Sequence, residues 1–257
     1  MWSLAITLYT TFILIGYIPS LMRYDKQFNQ KVEAATSSEA HHGFLMKYMI
    51  LKITSATVPK SYFTHFYIVS STVGSGVVGY CYRNEYPCLL ALMLWVHSMR
   101  RLVECYCIHR FSSSRMTIIV YLGGIGYYLV CNCSVLVASL SNSVVRLSSS
   151  CTGLCFFCFG SLLQFYVHQQ LASLRKPTDD ARYHIPQSWV FTIVTSPHYV
   201  AEILVYAGVA VIGKYHRLLL LNLLWVIINL ACTAKKNHEW YVEHSHVAYG
   251  ALVPGVW

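Results

Sequence analysis

The chain has 257 residues, of which 56% are hydrophobic and 11% charged, against roughly 45–50% and about 25% for a soluble globular domain. That balance excludes a soluble enzyme as the starting expectation. Its 19 Lys and Arg against 10 Asp and Glu give a formal charge of +9, but no basic run exceeds two residues. Nucleic acid is therefore not an expected partner, and the excess reads as membrane orientation and a polyanionic ligand.

Apolar windows of helical length lie near 2–22, 62–82, 87–108, 116–140, 149–171, 198–213 and 216–232. Seven spans of about 20 residues use roughly 140 residues, which leaves room for loops and not for a second globular domain. The expected fold is all-α and integral to the membrane, with about seven transmembrane helices in one embedded domain over 1–257. The first window has no basic n-region and no small-residue cleavage site, so it reads as a retained span. The last two, joined by Lys214, Tyr215 and His216, read as a tight helical hairpin.

Orientation follows from Lys and Arg. Of the 19, Arg100 and Arg101 lie within the third window and four (Arg83, Arg146, Lys214 and Arg217) fall on one face, leaving thirteen on the other. The asymmetry predicts an outside N-terminus and a cytosolic C-terminus. The loops 23–61 and 172–197 then face the cytosol. Segment 44–53 (FLMKYMILKI) has the mixed character of an interfacial helix lying on the membrane, and an ordinary helix packed on the bundle accounts for it equally well.

Ten cysteines fall mostly inside or at the ends of apolar windows, which predicts packing as small hydrophobes and neither a disulfide framework nor a metal site. Gly74, Gly76 and Gly79 match GxGxxG, but a nucleotide fingerprint needs a preceding strand and a soluble helix. Inside an apolar window, close helix packing is the expectation.

Ionisable residues within spans are costly and mark candidate sites: His65, His97, Arg100, Arg101, Glu104, His168 and Glu202. His97, Arg101 and Glu104 share one helical face at i, i+4, i+7. An internal Arg101–Glu104 pair that lets the helix be buried explains two of them without function. Further polar residues gather at the cytosolic ends of the fifth and sixth spans and the start of the tail: Gln164, Arg175, His198, His238 and Tyr241. Their convergence predicts a polar cavity open to the cytosol.

The stretches VPKSYFTHFYIVS (58–70), LWVHSMRRLVECYCIHRFS (94–112), LASLRKP (171–177), IPQSWVFTIVTSPHYVAEILVY (185–206) and NHEWY (237–241) resemble the steroid 5-alpha-reductase family. HSxRRLxEC and SPHYxAE are similar to its branch that reduces polyprenal or polyprenol for dolichol synthesis. The resemblance implies a multi-pass reductase of the endoplasmic reticulum membrane, with a first span and cytosolic loop over 1–60 and the catalytic region over 61–257. It implies NADPH held from the cytosolic side, a long-chain isoprenoid substrate among membrane lipids, and no obligate protein partner. By position, Gln164 and His168 match cofactor contacts of the fifth span, and Arg175 matches the arginine facing the phosphates, a task suited to a guanidinium fork. His198 and Glu202 match the opening of the sixth span, His238 and Tyr241 the tail contacts, and His97 and Arg101 the substrate and cofactor cavity.

The chain departs from the family pattern at several places. His184 stands where Arg often precedes Ile-Pro, Ser188 replaces a glycine, and the final segment lacks a basic cluster. The acidic and tyrosine residues that grip the ketone in the steroid enzymes fall near Phe66 and Ser98, which makes steroid reduction the weaker assignment.

Hydride adds to a carbon–carbon double bond only where the developing negative charge can settle. An isolated allylic alcohol offers no such place, whereas an enal places it on the carbonyl oxygen, where a donor stabilises it. His65, Tyr67, His97 and Arg101 are the candidate donors. Readings from other classes are a seven-helix receptor, which leaves the family stretches unexplained, and a membrane methyltransferase of the isoprenylcysteine type, distinguished by binding S-adenosylmethionine. A general enone reductase of the same family is the nearest alternative.

Overall fold

The computed structural model describes residues 56–111, 113–141, 147–175, 186, 188–245 and 250–252. Six helices dominate the described residues: α1 Phe63–Arg83, α2 Leu89–Cys107, α3 Ile118–Ser141, α4 Leu147–Ser173, α5 Pro197–Ile212 and α6 Arg217–Ser245. Three of these, α3, α4 from Cys151, and α6, are long and apolar enough to cross a membrane. Helix α2 carries Arg100, Arg101 and Glu104, α1 is rich in Ser and Gly, and α5 is apolar but has 16 residues. The window at 2–22, segment 44–53 and His184 lie outside the described residues.

One expected boundary is corrected. The last apolar window ends near 232, but α6 runs on to Ser245. Residues 233–245 contain neither Gly nor Pro, so nothing stops the helix where its hydropathy falls. His238 and Tyr241 therefore stand on α6, beyond its apolar stretch. A second difference is a pair of three-residue strands, β1 Thr57–Pro59 and β2 Arg115–Thr117, antiparallel with Val58 opposite Met116. Arg115 clamps β1 through the backbone oxygen of Thr57 at 2.7 Å and its Oγ1 at 2.8 Å. Segments this short carry no readable alternation.

The described chain forms two compact units. One comprises the residues up to Phe63 with Ser113–Tyr127, and the other Thr64–Ser112 with Tyr128–Trp257. In the second unit, α4 and α5 meet through glycines: a Cβ added at Gly208 would lie 2.5 Å from the backbone oxygen of Gly153, and one at Gly160 2.7 Å from that of Ala201. Small residues let the two backbones touch. The expected glycine packing on α1 is found at Gly74, whose added Cβ would meet Asn132 Oδ1 at 3.2 Å, whereas Gly76 and Gly79 face open space.

Buried hydroxyls and an amide tie α1, α2 and α3. Ser70 and Ser98 hydroxyls are 2.7 Å apart, and Asn132 Nδ2 donates to Ser70 Oγ at 3.2 Å. Between α5 and α6, Lys214 and Tyr215 take positive φ of 51° and 58°, which turns the chain within four residues. Three cysteines, Cys81, Cys105 and Cys131, pack as buried hydrophobes, but Cys107, Cys133, Cys151, Cys155 and Cys158 are exposed. The packing expectation therefore holds for only part of the set. On a helix facing hydrocarbon, an apolar thiol need not be inside the bundle.

Candidate active site

Helix α2 supplies the centre of the site. Glu104 is 0% exposed, and its two carboxylate oxygens accept from different arginines: Oε1 from Arg100 Nη1 and Oε2 from Arg101 Nη1. The i, i+4 and i, i+3 spacings bring all three to one side of the helix. From α4, His168 Nδ1 stands 2.7 Å from Glu104 Oε2 and 2.7 Å from Arg101 Nη1. One ring nitrogen donates to the carboxylate or accepts from the guanidinium, never both, so the tautomer of His168 selects its partner.

The network continues toward α5. Arg100 Nη2 donates to Gln164 Oε1 and faces His97 Nδ1 at 3.3 Å. Gln164 Nε2 donates to Glu202 Oε2. Glu202 Oε1 is 3.3 Å from His97 Nε2, within ion-pair range although that nitrogen is not aligned for a hydrogen bond. Toward α1, Arg101 Nε donates to the Tyr67 hydroxyl at 3.1 Å, with its guanidinium carbon 4.9 Å from the ring centre. Tyr67 packs edge-on against Tyr128 at 5.4 Å. Two guanidiniums against two carboxylates leave the cluster electrically balanced, which makes its burial tolerable.

At the end of α2, His109 lies with its ring 4.8 Å from that of His168. Burial, and after it the charge of Arg101, push its pKa down to about 4, so it is neutral at neutral pH. Glu104, His109 and His168 bring ligand atoms within 4.8 Å of one another. Both oxygens of Glu104 already accept from guanidiniums, whose charge opposes a cation there.

Two further features flank the network. Arg110 Nη1 donates to the backbone oxygen of Arg175 at 2.6 Å, and Arg175 Nη1 donates back to that of Arg110. Before and within the first turn of α5, Thr195 Oγ1, Ser196 Oγ and His198 Nδ1 are buried with no hydrogen-bond partner among the described residues. Pro197 opens this helix, where its missing N–H costs nothing, and the Thr195 amide donates to Gly250 at 3.0 Å.

The family described as 3-oxo-5-alpha-steroid 4-dehydrogenase matches residues 114–257, more than half of the chain. A polyprenal reductase of Saccharomyces cerevisiae is 31% identical over 95% of this chain and 88% of its own length. The chain belongs to the steroid 5-alpha-reductase family. Other members with the same name are 34% identical in Xenopus tropicalis, over 62% of this chain and 57% of the relative, and 27% identical in Homo sapiens, over 72% of each. The chain thus spans little more than half the length of the Xenopus relative. As a steroid 5-alpha-reductase family member it is an oxidoreductase acting on carbon–carbon double bonds.

Of the residues singled out in this family member's sequence, Tyr67, His97, Arg100, Arg101, Glu104, Gln164, His168 and Glu202 join one network. His198 enters through its backbone oxygen, 3.5 Å from Gln164 Nε2. His65 is half-buried two residues before Tyr67, a spacing that does not share a helix face. Arg175 meets Arg110 instead of the buried cluster. His238 and Tyr241 lie near the end of α6, Tyr241 buried and His238 with a buried Nδ1 that has no hydrogen-bond partner among the described residues; the network above does not include them. Sequence reasoning passed over Arg110. Its link to Arg175 crosses 65 residues, and no local pattern signals it.

Proposed function

We propose that this protein is an NADPH-dependent polyprenal reductase of dolichol synthesis, a multi-pass protein of the endoplasmic reticulum membrane. In this reading seven spans and a cytosolic C-terminus form one embedded domain, and a long isoprenoid reaches the site through the lipid. No further protein is required. The observation that carries the reading is the buried cluster around Glu104, which sets a tyrosine hydroxyl against a guanidinium inside an apolar bundle.

The donor set suits a dinucleotide. The crossed guanidiniums of Arg110 and Arg175 match phosphate chemistry. Thr195 Oγ1, Ser196 Oγ and His198 Nδ1, buried without a hydrogen-bond partner among the described residues, match ribose hydroxyls and a carboxamide. Gln164, His168, His184, His238 and Tyr241 complete the cofactor contacts that family position implies. Bound NADPH supplies the hydride.

The substrate must carry a carbonyl conjugated to its double bond, because addition at the β-carbon then leaves the charge on oxygen. Tyr67 is the proton donor to the α-carbon. Arg101 Nε at its oxygen stabilises the phenolate that donation leaves behind. His97 and Glu202 hold each other beside it.

The test is incubation of purified protein with NADPH and polyprenal, polyprenol or testosterone, followed by mass spectrometry. Polyprenal is expected to give dolichal, and polyprenol to remain unchanged without a dehydrogenase. Direct conversion of polyprenol would refute the carbonyl requirement. Testosterone reduction at a comparable rate would make the protein a general enone reductase.

A further inference from the structure

Helix α6 begins as a run of leucines broken by a single amide, Asn222. Asn222 is 2% exposed, and neither its Oδ1 nor its Nδ2 has a hydrogen-bond partner among the described residues. An amide buried in apolar surroundings is costly unless something meets it. Beside it a small cavity lies between α2, α3, α5 and α6, walled by Leu94, His97, Cys131, Val135, Tyr206 and Asn222 among others. The His97 ring closes one side, edge-on to Tyr206 at 5.9 Å, and its Nε2 faces Glu202. The cavity therefore adjoins the polar network through one imidazole and is otherwise apolar apart from Asn222 and Tyr206.

We propose that this cavity, about the size of one water, takes the carbonyl oxygen of the substrate, with Asn222 Nδ2 donating to it. The assignment rests on the reductase reading and names the group that receives its charge. No Lys, Arg, Asp or Glu lines the cavity, so it suits a neutral carbonyl oxygen and not a phosphate. When hydride arrives at the β-carbon, the double-bond electrons move to join the α-carbon and carbonyl carbon, and the carbonyl pair passes to oxygen. The Asn222 N–H then bonds an enolate oxygen, a stronger acceptor than the ground-state carbonyl. Protonation at the α-carbon restores the carbonyl, so the reaction consumes one hydride and one proton.

The experiment compares wild type with Asn222→Leu and Asn222→Ser. In Asn222→Leu an apolar side chain replaces an unmet amide, so the protein is expected to melt no lower than wild type. Its kcat with polyprenal is expected to fall by about 10²-fold, with KM for NADPH unchanged. A second readout needs no turnover: farnesal labelled with carbon-13 at the carbonyl, bound without NADPH, is expected to show a lower stretching frequency in wild type than in either variant. Wild-type kcat in both variants, with the same carbonyl frequency in all three proteins, would overturn the proposal. If wild type fails to reduce polyprenal, the reductase reading falls, and the carbonyl frequency still decides whether Asn222 holds an aldehyde.

Discussion

Arg110 and Arg175, 65 residues apart, each place a guanidinium on the other's backbone oxygen. Two like charges are thereby held side by side, with the remaining N–H groups of each fork available to an anion.

Loss of either arginine is therefore expected to weaken NADPH more than it slows chemistry. A charge-assisted contact is worth roughly 1.5–3 kcal/mol, so Arg175→Ala and Arg110→Ala should each raise KM for NADPH by about one to two orders of magnitude. Steady-state kinetics with NADPH varied checks this. An unchanged constant in well-folded Arg175→Ala would remove the phosphate assignment.

His238→Gly is expected to lower activity about tenfold or more at limiting NADPH, the loss of one hydrogen bond to a charged group, without loss of expression. Glycine costs about 1 kcal/mol within a helix, and His238 is close to the end of α6. Wild-type turnover would make His238 a bystander.

Glu104→Gln keeps the side-chain volume but strips one buried guanidinium, that of Arg101, and one half-buried, that of Arg100, of their shared counter-charge. Breaking such a set costs roughly 3–5 kcal/mol, to be read as a lower melting temperature in detergent. Adding Arg100→Met should recover part of the loss, because it removes one stranded charge.

The α4–α5 contact gives a paired test. In Gly208→Ala the new Cβ would stand 2.5 Å from the Gly153 oxygen and 2.8 Å from the Phe157 nitrogen, both backbone atoms, so the helices must separate. That also shifts Gln164 relative to Glu202, and both stability and turnover should fall. Gly76→Ala meets nothing within 4 Å and should be neutral or slightly stabilising.

The helices were legible in the sequence because hydropathy alone writes them, down to the turn at Lys214 and Tyr215. The end of α6 was not, since a helix leaving an apolar layer keeps its backbone bonds while losing its hydropathy signal. Within the site, the face shared by His97, Arg101 and Glu104 follows from helical spacing. The meeting of Gln164 with Arg100, and of Arg101 with Tyr67, depends on how separate helices are rotated against each other, which no local pattern records. Asn222 was visible as a lone amide among leucines, but its meaning required the cavity beside it.

The brevity of α5 has a consequence for the lipid around the protein. Sixteen residues rise about 24 Å, less than a hydrocarbon core of about 30 Å. In the proposed seven-span arrangement, its turn at Gly213 and its proline start hold both ends in place, so the mismatch falls on the bilayer, which thins beside this helix at a cost of fractions of a kcal/mol per Å. Membranes of about 27 Å core, as in the endoplasmic reticulum, ask less of that deformation than sterol-rich ones of about 32–33 Å. Bilayer thickness thereby becomes a condition under which the α5 contribution to the site, His198 and Glu202, keeps its register with α4.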